Sequence, residues 1–336
     1  MTSARGRRGR LALCAAIALL VVMVAISLMI GARAVAPAVV VDALLHPDLS
    51  IADHSVILEQ RVPRTVIGVL AGAALALAGT LMQGLTRNPL ADPGLLGINA
   101  GASIAVLAAI TLWGITSPSG FVWFAFAGAA LASIVVGVIG TRGPDGSSPA
   151  KLALTGAAVT AGLTAVSTLI LTTSITAFDV FRYWQVGGLT VRGLDTVAVV
   201  AVPILIGAVI AFSSARGLDL MALGEDTATG LGHSVARTRV LGIVATVLLC
   251  GGATSIAGPI VFLGLLVPHA LRAIVGGDYR WLLAVGAPTG AIVLLAADVL
   301  GRVIAPPGEV QAGLVVAFVG APVLISLVLR RRSVTL

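Results

Sequence analysis

Residues 255–272 read S-I-A-G-P-I-V-F-L-G-L-L-V-P-H-A-L-R. The stretch is apolar enough to enter a bilayer, yet it carries Gly258, Pro259, Gly264, Pro268, His269 and Arg272. Proline removes a backbone donor and glycine weakens a helix. Lipid cannot satisfy the backbone groups this frees, so such residues persist where neighbouring helices or a water-filled path satisfy them. A plain anchor helix has no use for them. The stretch predicts a multi-helix membrane machine and not a tethered soluble domain.

Composition agrees with that reading. The chain has 336 residues, of which 58% are hydrophobic and only 10% charged, and its mean hydropathy is +1.09. A soluble domain carries about 25% charged residues, so the class is an integral membrane protein. The expected organisation is one polytopic membrane domain over residues 1–336. The formal charge of +7 invites a nucleic-acid reading. The arginines, however, lie at the ends of apolar runs and form no basic face, so nucleic acid is excluded and anionic lipid headgroups are the natural partners. Cys14 and Cys250 sit inside apolar runs and read as small buried hydrophobes. The four histidines lack metal-ligand spacing, and no nucleophile, acid–base or phosphate-loop constellation occurs. No metal or cofactor is expected on the chain, and ATP chemistry, with its Mg, would belong to a partner.

A spanning helix needs about 20 mostly apolar residues. Ten candidates follow: 11–32, 62–84, 94–113, 120–140, 150–173, 194–214, 236–254, 257–275, 281–301 and 309–329. The seventh and eighth are divided only by a tight glycine-rich turn. At the N-terminus, Arg5, Arg7, Arg8 and Arg10 precede an apolar run, and Ala32-Arg33-Ala34 is a weak cleavage-site match. A signal-peptide core spans about 7–15 residues. This run extends from residue 11 to 30, so a retained first helix is expected, with residues 1–10 cytoplasmic. Placing the N-terminus inside and alternating puts 15 of the 21 basic residues on the cytoplasmic side, Arg142 among them. The other six, Arg33, Arg61, Arg64, Arg182, Arg192 and Arg302, fall outside. Both termini are therefore expected in the cytoplasm. Three loops are long enough to act: 33–61 and 174–193 outside, and 215–235 inside.

Five segments in order carry a resemblance. The first is Arg61-Val62-Pro63-Arg64 with the run A-G-A-A-L-A-L-A-G-T-L-M-Q-G-L-T-R-N-P-L-A-D-P-G-L-L-G-I-N-A-G-A over 71–102. Next come Trp184-Gln185-Val186-Gly187-Gly188-Leu189 and Leu223-Gly224-Glu225-Asp226 with Ala228, Leu231 and Gly232. The opening stretch, extended through Gly277-Asp278-Tyr279-Arg280, is the fourth. The fifth is Ala297-Asp298-Val299-Leu300-Gly301-Arg302, followed by Pro306 to Pro322. Together they resemble the FecCD-like permease subunits of type II ABC importers, which carry iron-siderophore complexes and cobalamin. The resemblance implies an all-α membrane fold of about ten helices and a place in the bacterial inner membrane. It also implies a second permease copy or a sister permease, two cytoplasmic ABC ATPase subunits and an extracytoplasmic substrate-binding protein.

The residues themselves leave some roles open. Within 215–235, Gly224 and Gly232 bracket one small turn of helix whose first residues, Glu225 and Asp226, suit its N-terminal dipole. Such a knob lies in an ATPase groove or is a solvated loop. The resemblance assigns coupling to Leu223, Gly224, Glu225, Asp226, Ala228, Leu231 and Gly232. Arg61, Arg64 and Arg302 stand outside against the positive-inside trend. They snorkel to headgroups or, as the resemblance implies, receive glutamates of the binding protein. Gly156, Thr160, Thr164 and Thr168 allow close helix packing, and equally line a wide, weakly adhesive path. Asn88, Pro89 and Asp92 form a turn between the second and third helices. His269 and Arg272 read as structural hydrogen-bonding groups, and Asp298 as the i,i+4 partner of Arg302.

The expected function is the permease subunit of an ATP-driven importer of ferric-siderophore complexes, working by alternating access with no covalent chemistry on this chain. Cobalamin or haem would use the same machine. An ion-coupled secondary transporter needs coupling-ion sites near mid-membrane, and the apolar runs contain almost no mid-span acid. A non-transporting scaffold would not need the glycine- and proline-rich helices.

Overall fold

The computed structural model describes residues 2–31, 33–141, 149–189, 193–305 and 308–332. Ala32, Arg142, Arg192 and Pro306 lie outside the described residues. All ten expected spans appear as helices: α1 (Thr2–Met29), α4 (Val62–Thr86), α5 (Ile98–Trp113), α6 (Pro118–Thr141), α7 (Pro149–Thr173), α9 (Leu194–Ala222), α11 (Val235–Ala257), α12 (Leu263–Val275), α13 (Tyr279–Ile304) and α14 (Ala312–Arg332). Seven are long and apolar enough to cross a membrane, and three shorter apolar helices complete the set. No strand occurs among the described residues.

The long loops are more ordered than a loop reading implies. Residues 33–61 hold α2 (Pro37–Leu45) and α3 (Ala52–Ser55), which runs through a π-helical turn, Val56–Arg61, directly into α4. Residues 174–193 contain α8 (Ile175–Gln185), capped by Ser174, whose side chain accepts from the Ala177 N–H. Between α9 and α11 lies the short α10 (Glu225–Gly230).

Helix α4 is the centre of the bundle. It packs on α13, α11, α9 and α12, while α5 to α8 gather on the side reached through α11. Glycines set the closeness of these contacts. A Cβ on Gly72 would lie 2.5 Å from the Gly290 carbonyl oxygen of α13, and one on Gly79 would lie 1.8 Å from that of Gly264 in α12. Without a hydrophobic force between helices in lipid, such close backbone packing supplies the attraction. By contrast, the apolar windows of α1 and α7 are only 17% and 11% buried, so these helices turn most of their surface outward.

The opening stretch is broken where its glycine and proline stand. The expected eighth helix at 257–275 starts only at Leu263, because Gly258 has φ 73° and Phe262 φ 68°. Of the non-helical residues between, Gly258 and Ile260 are buried while Val261 is exposed, and the backbone beside them is tied in by hydrogen bonds. The Gly188 N–H donates to the Ala257 carbonyl at 2.8 Å, and the Gly313 N–H donates to Gly187 at 2.9 Å. A Cβ on Gly258 would meet the Trp184 carbonyl oxygen at 2.3 Å. Helix α12 is left with 13 residues, about 20 Å at 1.5 Å per residue, shorter than a hydrocarbon core of about 30 Å. Irregular backbone within an apolar segment is tolerated where neighbouring protein packs against it, as Trp184 and Gly187 do at Gly258.

Candidate functional site

Two charged clusters stand at opposite ends of α4. At its N-terminal end, Arg61 is buried and points back at the end of α1, where Nη1 donates to the carbonyls of Leu28 at 2.7 Å and Met29 at 2.8 Å, and Nη2 donates to Arg33. These are the carbonyls that a helix C-terminus leaves without partners. One turn into α4, Arg64 donates from Nε and Nη2 to both carboxylate oxygens of Asp298 on α13, at 2.8–3.1 Å. Its Nη1 reaches Glu309 at 2.7 Å. Arg302 holds Asp298 from the other side, with Nε at 2.9 Å from Oδ2, and its Nη1 donates to the Ser27 and Ile30 carbonyls at 2.9 Å. Ser27 and Thr65 close the ring through their hydroxyls at 2.8 Å.

Asp298 is fully buried and shared by two arginines. The expected Asp298–Arg302 pair is present, and Arg64 joins it from another helix. The structure thus brings together the three arginines singled out in the sequence, but their donors face inward. Arg302 and Arg61 are 3% and 6% exposed; Arg64 alone touches the exposed Glu309. Nothing local in the sequence marks the part of Arg64, since it and Asp298 belong to separate segments 234 residues apart.

At the other end, α4 stops at Arg87 in the left-handed region, φ 50° and ψ 30°. The chain then turns through Asn88, whose side chain accepts from the Leu90 N–H at 3.0 Å, and Asp92, which accepts from the Gly94 N–H at 2.8 Å. Burial pushes the Asp92 carboxyl up from the usual carboxylate range. Nearby, Gly224 at φ 109° and Gly232 at φ 76° bracket α10. These angles suit glycine because other residues meet their own Cβ there. Ala228 is buried and its carbonyl accepts from the His233 N–H at 3.0 Å. Leu223 and Leu231 are each 63% exposed, and Asp226 faces outward. Glu225 does not: its Oε1 accepts from Arg87 Nη2 at 3.1 Å and Arg239 Nη2 at 2.9 Å. Neither arginine was singled out in the sequence reading of this loop.

The residues considered for a path separate. Gly156 is buried, and a Cβ there would lie 1.7 Å from the Leu95 carbonyl oxygen. It packs α7 against the 3-10 turn Pro93–Leu96 and does not present a path surface. Thr160 is half-buried, while Thr164 and Thr168 are exposed on the outward side of α7. The Thr168 hydroxyl donates to the Thr164 carbonyl at 2.9 Å, which leaves a muted polar surface. Toward the end of α7, a cleft of about 540 Å³ is lined by Thr111, Thr173, Ser174 and Thr176 with Ile110 and Ile170. Arg272 is a packing group: Nη2 donates to Gln83 at 3.0 Å, and the guanidinium lies 5.6 Å from the Tyr279 ring centroid. Among the described residues no group of three or more His, Cys, Asp or Glu forms a metal site.

The FecCD transport family model matches residues 19–330. The chain belongs to the FecCD transport family. It is 47% identical over 313 residues to the ferric enterobactin transport system permease protein FepD of Escherichia coli, covering 93% of each chain. Against the cobalamin import system permease protein BtuC of Halobacterium salinarum it is 38% identical, covering 82% of this chain and 73% of the other. Its fold matches a metal-chelate type ABC transporter in an inward-facing conformation with a TM-score of 0.81 at 27% identity, over 95% of this chain and 99% of that one. The FecCD chain is thus a multi-pass transport permease of the ABC importer class and not an enzyme.

Proposed function

We propose that this FecCD chain forms the translocation path of an ATP-driven importer of ferric-siderophore complexes. The observation that carries the cargo class is the 47% identity, along 93% of the chain, to a ferric enterobactin permease. The likeness to a cobalamin permease keeps cobalamin as the second reading, with haem beside it.

In this reading both termini and α10 lie in the cytoplasm, and the Arg64 end faces outward. The excess of basic residues at the α10 end supports that orientation. One of the two ATPase subunits grips α10, with Leu223 and Leu231 as the exposed apolar contacts and Asp226 beside them. A second permease copy or a sister permease packs across the path. The exposed faces of α7 and α14, with Leu169 63% and Phe318 77% exposed, are suited to that packing or to lipid. Thr160, Thr164 and Thr168 line the path, where a chelate must slide without being held. The binding protein docks at the Arg64 end. Arg64 receives its carboxylate, while Arg61 and Arg302 act one step behind by holding α1 and Asp298 in place. ATP-driven movement of α10 alternates access between the two sides.

The test is reconstitution of the permease with its ATPase and binding protein, followed by ATP-dependent uptake of a ferric siderophore, cobalamin and haem in parallel. Uptake of the ferric siderophore above the other two is expected, and selective uptake of cobalamin would move the cargo to the second reading. Affinity purification from native membranes should recover a Walker-type ATPase that is lost on double substitution of Gly224 and Glu225. A chain that purifies alone in several mild detergents would contradict the importer reading.

A further inference from the structure

We propose that Arg87, together with Arg239, latches α10 to the ends of α4 and α11 through Glu225, and that this latch delivers the displacement of α10 to α4. The proposal rests on the coupling role given to α10 above. It makes Arg87 a positioning residue that contacts neither cargo nor ATPase.

Three observations carry it. First, the geometry is a clamp: one oxygen, Glu225 Oε1, accepts from Arg87 Nη2 at 3.1 Å and from Arg239 Nη2 at 2.9 Å. Glu225 is the first residue of α10, Arg87 ends α4, and Arg239 lies in the first turns of α11. One carboxylate therefore ties three helices. Second, α10 has little else to hold it. It packs on α9 and α11, it is bracketed by glycines at φ 109° and 76°, and Ala228 is its one buried residue. Third, Arg87 occupies a left-handed helix end, φ 50° and ψ 30°, where glycine is the usual residue because a Cβ is strained there. Arg87 and Phe262 alone hold positive φ among the described non-glycine residues. A glycine would end α4 with less strain, so what the arginine adds is its side chain, which among the described residues pairs with Glu225.

Fold stability does not explain the latch. Its side chains are 44%, 35% and 18% exposed for Arg87, Glu225 and Arg239, and ion pairs in such surroundings contribute little to stability. The latch matters through what it joins. Helix α4 is buried along most of its length, and its far end is locked to α13 through Arg64 and Asp298. A pull on Arg87 is therefore applied to a packed rod that ends at the opposite charged cluster.

The experiment uses the assembled permease and ATPase in proteoliposomes with the binding protein, and reads chelate imported per ATP hydrolysed. Arg87→Gly suits the backbone at this position, so its thermal midpoint in detergent should equal or exceed that of the parent, with the ATPase still bound. Import per ATP should fall about fivefold or more, the lower end of typical coupling between sites, and the triple reversal Arg87→Glu, Arg239→Glu, Glu225→Arg should recover it to within about twofold of the parent. Parent-like import per ATP in Arg87→Gly overturns the proposal, as does a triple reversal no better than Arg87→Gly. A separate arm tests the underlying reading with Leu223→Asp and Leu231→Asp together. If that double variant keeps the ATPase bound and import intact, the coupling role of α10 fails and the latch with it. If it releases the ATPase while Arg87→Gly is silent, only the latch fails.

Discussion

Arg64 and Asp298, 234 residues apart in the chain, meet as a bidentate ion pair between α4 and α13, with Arg64 Nη2 2.8 Å from Oδ1 and Nε 3.1 Å from Oδ2. Arg302 takes the remaining side of the same carboxylate. Because the carboxylate is fully buried and the arginines nearly so, the desolvation cost is large and is offset only while the set is complete.

Removing the anion is therefore costly. Asp298→Ala leaves two buried guanidinium groups facing each other and is expected to destabilise the protein by about 3–5 kcal/mol, the range for breaking a buried pair from one side. Thermal unfolding in detergent measures it. A shift no larger than that of an exposed pair would mean that water reaches the cluster.

Arg64 also links the cluster to the surface through Glu309. If it receives a carboxylate of the binding protein, Glu309 competes for the same Nη1. Glu309→Gln should then tighten docking at low ionic strength, Arg64→Glu should weaken it, and both effects should shrink as salt is raised. Binding-protein affinity measured across a salt series decides this, and equal affinity for parent and Arg64→Glu in low salt would remove Arg64 from the docking site.

Close helix contact at Gly79 carries a steric consequence. Any Cβ there would lie 1.8 Å from the Gly264 carbonyl oxygen, which is backbone and cannot swing aside. Gly79→Val should separate α4 from α12 and lower folded yield in the membrane. Gly162→Ala, on a part of α7 where a Cβ meets nothing within 4 Å, should leave yield at the parent level. Fluorescence-detected size exclusion of the two variants compares them directly.

The Asp92 carboxyl offers a pH-dependent test. Its folded pKa is raised, chiefly by burial, above the ordinary value of about 3.9. A raised pKa means that its contribution to stability is fully present below the unfolded value and is lost as pH rises through the folded value. Asp92→Asn keeps an oxygen acceptor for the Gly94 N–H and does not titrate. The parent should therefore lose stability relative to this variant as pH is raised through that window. Unfolding midpoints of both proteins across the pH series test the sign, and a parent that gains on the variant with rising pH would contradict it.

The sequence by itself determined the membrane class, the ten apolar helices and the turn of helix between Gly224 and Gly232. Each rests on a local quantity: mean apolarity over one span, or the backbone freedom of one glycine. Tertiary structure alone decided that Gly156 is a packing contact with Leu95, that the eighth helix starts at Leu263, and that residues 33–61 are largely helical. It also decided that Arg64 and Arg302 turn inward to a shared buried carboxylate, that Arg61 turns back to the carbonyls at the end of α1, and that Glu225 is held by Arg87 and Arg239. In each case the deciding partner lies on a neighbour brought close by folding. A freed backbone group, a missing Cβ or a buried charge is tolerated only when that neighbour supplies the hydrogen bond, the space or the counter-charge.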